Sequence, residues 1–212
     1  MLHMKPVYIH KDMFTDISSF LKTTITEDVI IAHGCNAQGK MGKGYALGFR
    51  KYFDDSYLAY KEICNGSKRE ILGLKILDIE DKHLLKYPKP IVYTPPVNPD
   101  YADTLMGKVL LSLEYRGIMT ASCITQKYYG NNKNRVYVDY SAYYRALKCI
   151  ARISMQSRIP IWMTDIGTGL ANGDPVILHH ILQCVINEEN PYLVRVYQKK
   201  DPNFLKDDGD DY

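Results

Sequence analysis

Apolar residues in this chain come in short blocks separated by polar, often glycine-bearing turns, and the blocks alternate between two periods. Residues 7–10 and the wholly apolar 29–32 predict short strands, with about one helical turn over 17–21 between them. Helical spacing recurs over 45–52 and 57–64, separated by Asp54-Asp55-Ser56, a turn and N-cap cluster. Residues 109–113 and 118–125 read as two strands around a turn at 114–117. Tyr143, Ala146, Leu147, Ile150 and Met155 place one apolar stripe on a helix over 140–155. A buried strand at 159–163, an apolar helix over 176–185 and a last strand at 193–197 complete the series. Strands alternating with helices predict an α/β fold whose largely parallel or mixed sheet is covered on both faces.

A chain of 212 residues is long enough for one domain with a sizeable core. Its 27 basic and 24 acidic residues are too evenly balanced to imply a nucleic-acid-binding surface. The five cysteines are scattered, odd in number and never in C-x-x-C, which disfavours a disulfide framework and a zinc site and points to a reducing compartment. Residues 1–10 lack the apolar run of a signal peptide and no later stretch approaches a membrane span, so a cytoplasmic protein is expected.

The chemistry concentrates in two glycine-rich junctions. Residues 30–46 run from an apolar strand through His33, Asn36, Gln38, Gly39, Gly42 and Gly44 into a helix. Residues 161–175 repeat the arrangement, with Gly167-Thr168-Gly169-Leu170 between a strand and a helix. Glycines let backbone approach a ligand closely, and the unpaired N–H groups at a helix start favour anions. Two such loops at the carboxyl ends of strands suggest one ligand gripped from both sides. Neither is a P-loop or a dinucleotide fingerprint, so ATP hydrolysis and dinucleotide redox chemistry are disfavoured.

Four places in order carry a resemblance: Lys11-Asp12-Met13-Phe14, the stretch 33–46, Cys123-Ile124-Thr125-Gln126 with Tyr129-Gly130, and Ile166-Gly167-Thr168-Gly169-Leu170. With these the chain resembles the macro domain family over about residues 7–196. The match is closest to the branch of ADP-ribose-1''-phosphate phosphatases and of relatives that remove ADP-ribose from acidic side chains. The resemblance implies a three-layer α/β/α domain over residues 1–200 with a mixed, largely parallel central sheet. It implies ADP-ribose or ADP-ribose-1''-phosphate as ligand and an ADP-ribosylated protein as a further partner. The implied activity is hydrolysis at the distal ribose, by phosphatase chemistry or by release of ADP-ribose from acidic side chains. No cofactor or metal is expected, because oriented backbone donors can stabilise developing charge. A non-enzymatic ADP-ribose reader is the competing class; a nucleic-acid-binding module draws support only from 18 tyrosines and lacks a basic stripe. Against the family pattern most of 67–104 reads as an insertion, a surface hairpin and loop or else a lid or partner-binding arm. It carries an alternating run at 71–79, a charged turn at Glu80-Asp81-Lys82 and prolines at 88, 90, 95, 96 and 99. Residues 201–212 form an acidic tail expected to be disordered.

By position in that pattern, Asp12, with Met13 beside it, reads the adenine amino group, although Lys11 stands where a glycine is usual; a plain capping aspartate is the bland alternative. Asn36 contacts the distal ribose or serves as a turn residue, or both. Gly42 and Gly44 wrap that ribose and its phosphate, Gly167, Thr168 and Gly169 hold the diphosphate, and Gln38, Gln126 and Leu170 are further ligand-binding candidates. His33 is either a core histidine or a catalytic group beside the ribose. Asp174 is either the N-cap ahead of Pro175 or a base that activates water. Lys127, Lys40 and Lys43 are the lysines near the site. His179 and His180 point in different directions from one helix, which disfavours a metal pair.

Overall fold

A strand without polar alternation must be covered on both faces. Strand β2 (Val29–Asn36) is covered in this way: every residue except Gly34 is buried, and the strand lies in the middle of a seven-stranded sheet. The computed structural model describes residues 5–22, 27–66, 70–71, 74–77, 91–92, 101–114, 117–130 and 132–198. The other elements, in chain order around β2, are β1 (Val7–Ile9), α1 (Met13–Lys22), α2 (Gly44–Tyr52), α3 (Asp54–Cys64), β3 (Glu70–Ile71), β4 (Leu74–Leu77), β5 (Ile91–Val92), α4 (Tyr101–Leu105), β6 (Val109–Leu113), β7 (Ile118–Gln126), α5 (Tyr140–Ser157), β8 (Ile161–Thr164), α6 (Pro175–Glu189) and β9 (Val194–Tyr197).

The sheet order is β1-β9-β8-β2-β7-β6-β4. Neighbours from β1 through β7 are parallel, and β6 runs antiparallel to both β7 and β4. Successive β2 side chains alternate between two cores. Ile30 and Ala32 pack with Leu147, Ile150 and Leu182 of α5 and α6, whereas Val29 and Ile31 pack with Ile17, Phe49 and Tyr60 of α1, α2 and α3. The result is the expected α/β/α layering on a mixed sheet.

Two expectations change, and the stretch read as an insertion is placed in part. Helix α1 spans ten residues, where one turn was expected: Met13 and Ile17, one turn apart, are both buried, and Ser18-Ser19 obscured the stripe. Asp54, Asp55 and Ser56 form the first turn of α3, with the carboxylates at the favourable end of the helix dipole. Ser56 is buried, hydrogen-bonded to Glu114 and, at 2.6 Å, to Thr120. Within the stretch read as an insertion, β4 pairs with β6 and forms an edge of the main sheet, while β3 and β5 make a separate two-stranded ladder. At its end, Leu105 is fully buried and the Tyr101 hydroxyl donates to the Ile63 carbonyl at 2.6 Å, so α4 belongs to the body of the domain. The charged turn 80–82, the five prolines and the tail 201–212 lie outside the described residues. Among the described residues, no helix is long and apolar enough to cross a membrane.

Candidate functional site

Because β1, β9, β8, β2 and β7 all run the same way, their carboxyl ends share one edge, where an α/β sheet opens a crevice. A cavity of about 970 Å³ lies along it. Asp12 lines it just past β1, Cys35 and Asn36 at the end of β2, Gln126 at the end of β7, Thr164 and Asp165 at β8, and Tyr197 at β9. The β2–β7 register steps from Cys35↔Ile124 to Asn36↔Gln126, leaving Thr125 as an extra residue. Such a bulge re-aims the side chain that follows it, here Gln126.

The first loop is built on Asn36. Its Oδ1 accepts from the Gln38 and Lys40 N–H groups at 3.0 and 3.2 Å, and its Nδ2 donates to the Lys40 carbonyl at 2.7 Å. The buried Tyr60 hydroxyl donates to the Asn36 carbonyl at 2.5 Å. Gly44 then takes φ +59, which glycine adopts without strain, at the start of α2. The second loop turns at Gly167, φ +94, and is closed by the Gly173 N–H donating to the Gly167 carbonyl at 2.8 Å. The Thr168 hydroxyl donates to the Asp165 carbonyl at 2.9 Å. The loops nearly meet: a Cβ on Gly44 would lie 3.9 Å from Leu170 Cδ1. Below them, a Cβ on Gly34 would lie 2.6 Å from Ile166 Cγ2, so only glycine lets the second loop settle onto β2. Ideal Cβ positions on Gly42 and Gly169, one on each loop lining the cleft, meet nothing within 4 Å.

No protein-family model matches the sequence, and comparison with curated proteins also finds no match. Solved structures do match. A protein of unknown function from Bacteroides thetaiotaomicron superposes with TM-score 0.62 at 20% identity, over 92% of this chain and 98% of that one. A macrodomain protein from Streptomyces coelicolor gives 0.57 at 18% identity, over 92% and 99%. Thermosipho africanus DarTG, solved in complex with ADP-ribose, gives 0.56 at 14% identity, over 97% of this chain and 45% of that one. The chain has the macro domain fold. At these identities the likeness carries the fold alone.

Of the residues singled out in the sequence, the fold brings Asp12, Met13, Asn36, Gly42, Gly44 and Gln126 to the cleft, together with the run 167–170. His33, Gln38 and Asp174 are not among its lining residues. Of the two readings of His33, the structure favours the core one: its side chain is wholly buried, with its ring centroid 3.6 Å from that of Phe49 and Nε2 3.1 Å from Ser122 Oγ. Burial lowers its pKa to about 3, against a smaller opposing effect of the Gly34 backbone, so the ring is neutral at pH 7. Gln38 is exposed, and its Oε1 accepts from the Tyr129 N–H at 3.1 Å, tying the first loop to the β7–α5 connection. Asp174 is the N-cap of α6: Oδ1 accepts from the Val176 and Ile177 N–H groups at 2.8 and 3.4 Å. Lys127 is paired with Asp103 at 2.7 Å, whereas Lys40 and Lys43 line the cleft. His179 Nδ1 lies 2.6 Å from the Tyr8 hydroxyl.

Sequence reasoning passed over Tyr45, Arg50, Tyr57, Tyr129, Asp165 and Tyr197, all of which line the cleft. Asp165 and Tyr197 had a usable signal, since each sits at the carboxyl end of a parallel strand. Tyr45, Arg50 and Tyr57 had none, because only the packing of α2 and α3 turns them inward. The cleft holds charges of both signs. Its carboxylates are Asp12, whose Oδ1 accepts from the Phe14 N–H at 2.9 Å, and Asp165, held by Gln198 Nε2 at 2.8 Å. Burial pushes the Asp165 carboxyl up, and the Gln198 contact partly offsets this. Lys11 is paired there with Asp16. Lys40, Lys43 and Arg50 lie on the first loop and α2. Burial also pushes the Tyr45 hydroxyl and the Cys35 thiol well up, so both are neutral at pH 7.

Proposed function

We propose that this macro domain binds ADP-ribose along the cleft, with adenine at Asp12 and Met13, the diphosphate on the Gly167–Gly169 backbone, and the distal ribose against Asn36, Gly42, Gly44 and Gln126. The observation that carries the reading is the pair of glycine walls: open Cβ directions at Gly42 and Gly169 leave backbone as the contact surface on both sides of a cavity with a carboxylate at one end. Backbone donors at close approach suit a diphosphate, and an aspartate accepting from an exocyclic amine suits adenine. The ADP-ribose present in the Thermosipho africanus structure agrees with this ligand class. Isothermal calorimetry should show one ADP-ribose per chain and weaker binding of ligands lacking adenine or the second ribose. A folded protein that binds none of them would reject the reading.

Hydrolysis at the distal ribose is the second reading. The observation favouring it is that Lys40, Lys43 and Arg50 line the cleft, where they can stabilise a negatively charged leaving group or phosphoryl oxygen. The candidates for turnover are therefore cleft cations, with His33 and Asp174 in structural roles. Incubation with ADP-ribose-1''-phosphate and with glutamate-ADP-ribosylated protein separates the classes. Release of phosphate or of ADP-ribose marks an enzyme, and binding with no product marks a reader.

A further inference from the structure

Between Gln126, at the end of β7, and Asp139, the N-cap of α5, the chain carries Lys127, Lys133 and Arg135, three tyrosines and no carboxylate. This short connection alone holds as much positive charge as the +3 balance of the whole chain. It is held in one shape from both glycine loops. The Tyr129 N–H donates to Gln38 of the first loop at 3.1 Å, and the Tyr137 N–H donates to the Ala171 carbonyl of the second at 2.8 Å. Asn172 Nδ2 donates to the Lys133 carbonyl and, at 3.3 Å, to that of Arg135. Asn132 closes the turn between them: its Oδ1 accepts from the Asn134 N–H at 2.9 Å and its carbonyl from the Arg135 N–H at 3.1 Å. This frame leaves Tyr128, Tyr129 and Val136 outside, 44%, 57% and 52% exposed, with Lys133 and Arg135 exposed beside them.

We propose that the β7–α5 connection is a docking surface for an acidic polypeptide segment, with Lys133 and Arg135 meeting carboxylates and Tyr128, Tyr129 and Val136 packing on the apolar side chains between them. The Arg135 guanidinium carbon lies 5.8 Å from the Tyr128 ring centroid and 5.3 Å from that of Tyr137, both within cation–π range. Such stacking orients the guanidinium and leaves its edge N–H groups for a carboxylate. Among the described residues no carboxylate pairs with Lys133 or Arg135, whereas Lys127 is neutralised by Asp103. Charge complementarity therefore selects an acidic partner. Composition selects polypeptide over polynucleotide. Tyrosine and arginine are enriched where proteins meet proteins, while nucleic-acid interfaces are far more strongly positive, and an exposed valine offers nothing to a phosphate backbone. Because the hydrogen bonds from both glycine loops already fix this backbone, docking costs little further ordering. Tyr129 and Gly130 also line the cleft, so a segment docked here adjoins whatever the cleft holds. The surface itself requires no particular ligand there, and it stands or falls separately from the ADP-ribose reading.

The test is fluorescence anisotropy with three labelled probes: a glutamate-rich peptide with a central leucine, the same peptide with glutamine for glutamate, and a single strand of deoxythymidine. Wild type should bind the acidic peptide roughly 5-fold or more tighter than the glutamine one, the scale of two exposed ion pairs. The preference should shrink as salt rises. Lys133→Glu combined with Arg135→Glu should abolish it, and Tyr128→Ala should weaken binding of the acidic peptide. Lys22→Glu combined with Lys51→Glu changes the net charge equally at the ends of α1 and α2 and should leave the preference intact. All five positions are exposed, so the variants keep the fold. Equal affinity for the two peptides, a preference that survives the Lys133 and Arg135 reversal or is lost equally in the Lys22 and Lys51 control, or tighter binding of the deoxythymidine strand would overturn the docking surface. Peptide binding that appears only when Asp207, Asp208, Asp210 and Asp211 are changed to asparagine would make the chain's own residues the occupant and overturn the partner.

Discussion

Acid should destabilise this protein through His33. The ring is buried against Phe49 and Ser122, with a folded-state pKa of about 3 against 6.5 for an exposed histidine. Between those values the unfolded chain binds a proton that the folded one refuses, so stability falls as pH drops below 6.5. At about 1.36 kcal/mol per pH unit, the loss between pH 7 and pH 5 is about 2 kcal/mol, and about 4 kcal/mol by pH 3, where the folded ring is itself half protonated. That is a large share of the roughly 5–15 kcal/mol that holds a domain together. Glu114 and Asp165 act in the opposite direction: burial raises both carboxyls, so the folded state takes up their protons first and gains stability as pH falls through their range. Comparison with His33→Gln, which keeps a polar group near Ser122 but cannot titrate, isolates the histidine. Urea midpoints at pH 7 and pH 5 should show wild type losing about 2 kcal/mol more than the variant. NMR of the wild-type ring should show no protonation above about pH 4, given the folded-state pKa. Equal losses in the two proteins, or a ring titrating near 6.5, would return His33 to the candidate catalysts.

Three further outcomes follow from the cleft. Asp12→Ala should weaken ADP-ribose binding by about 1.5–3 kcal/mol and affect adenine-free ligands less, read by calorimetry; unchanged affinity in a folded variant removes Asp12 from the site. Gly42→Val and Gly169→Val should abolish binding while melting temperatures stay near wild type, because their Cβ positions meet only the open cleft; normal binding by both would refute the two-wall site. Asp174→Ala should cost about 1 kcal/mol of stability through the lost N-cap, measured by urea unfolding, and leave activity on 1''-linked substrates within a few-fold; a loss of about 100-fold in a folded variant would restore it as a catalyst.

Where chain pattern and structure agree, one physical cause acts alone. The unbroken apolar run of β2, the stripe of α5 and the Asp174-Pro175 helix start need only burial or local capping to be read correctly. The glycine loops were legible for the same reason, since a positive φ at Gly44 and Gly167 is a local demand. Reading failed where two demands coincide. His33 continues the ladder of β2 beside β7, and the choice between core and cleft depends on Phe49, sixteen positions away on α2. Edge strand β4 looked separable because its pairing with β6 spans more than thirty residues, and nothing within the run 71–79 announces that partner. Arg50 carries no local signal, because only the packing of α3 brings Tyr57 beneath it.

The polar residues nearest the glycine turns illustrate how such a cleft divides its labour. Asn36 uses its oxygen on two loop N–H groups and one of its two amide protons on the Lys40 carbonyl, which leaves a single N–H for any ligand. Gln38 is engaged by the Tyr129 backbone, Thr168 by the Asp165 carbonyl, Asp174 by its own helix, and Asn172 by the carbonyls of Lys133 and Arg135. Each of these side chains supplies a hydrogen bond to backbone that an irregular loop would otherwise leave to water. A loop that must come close to an anion without side chains in the way needs its framework supplied from its flanks. On the ADP-ribose reading proposed above, the ligand would meet loop backbone at Gly42 and Gly169 and the side chains of Asp12, Lys40, Lys43 and Arg50, all of which line the cleft. On that reading, single substitutions at those four side chains should change which ligand is preferred while the loops keep their shape.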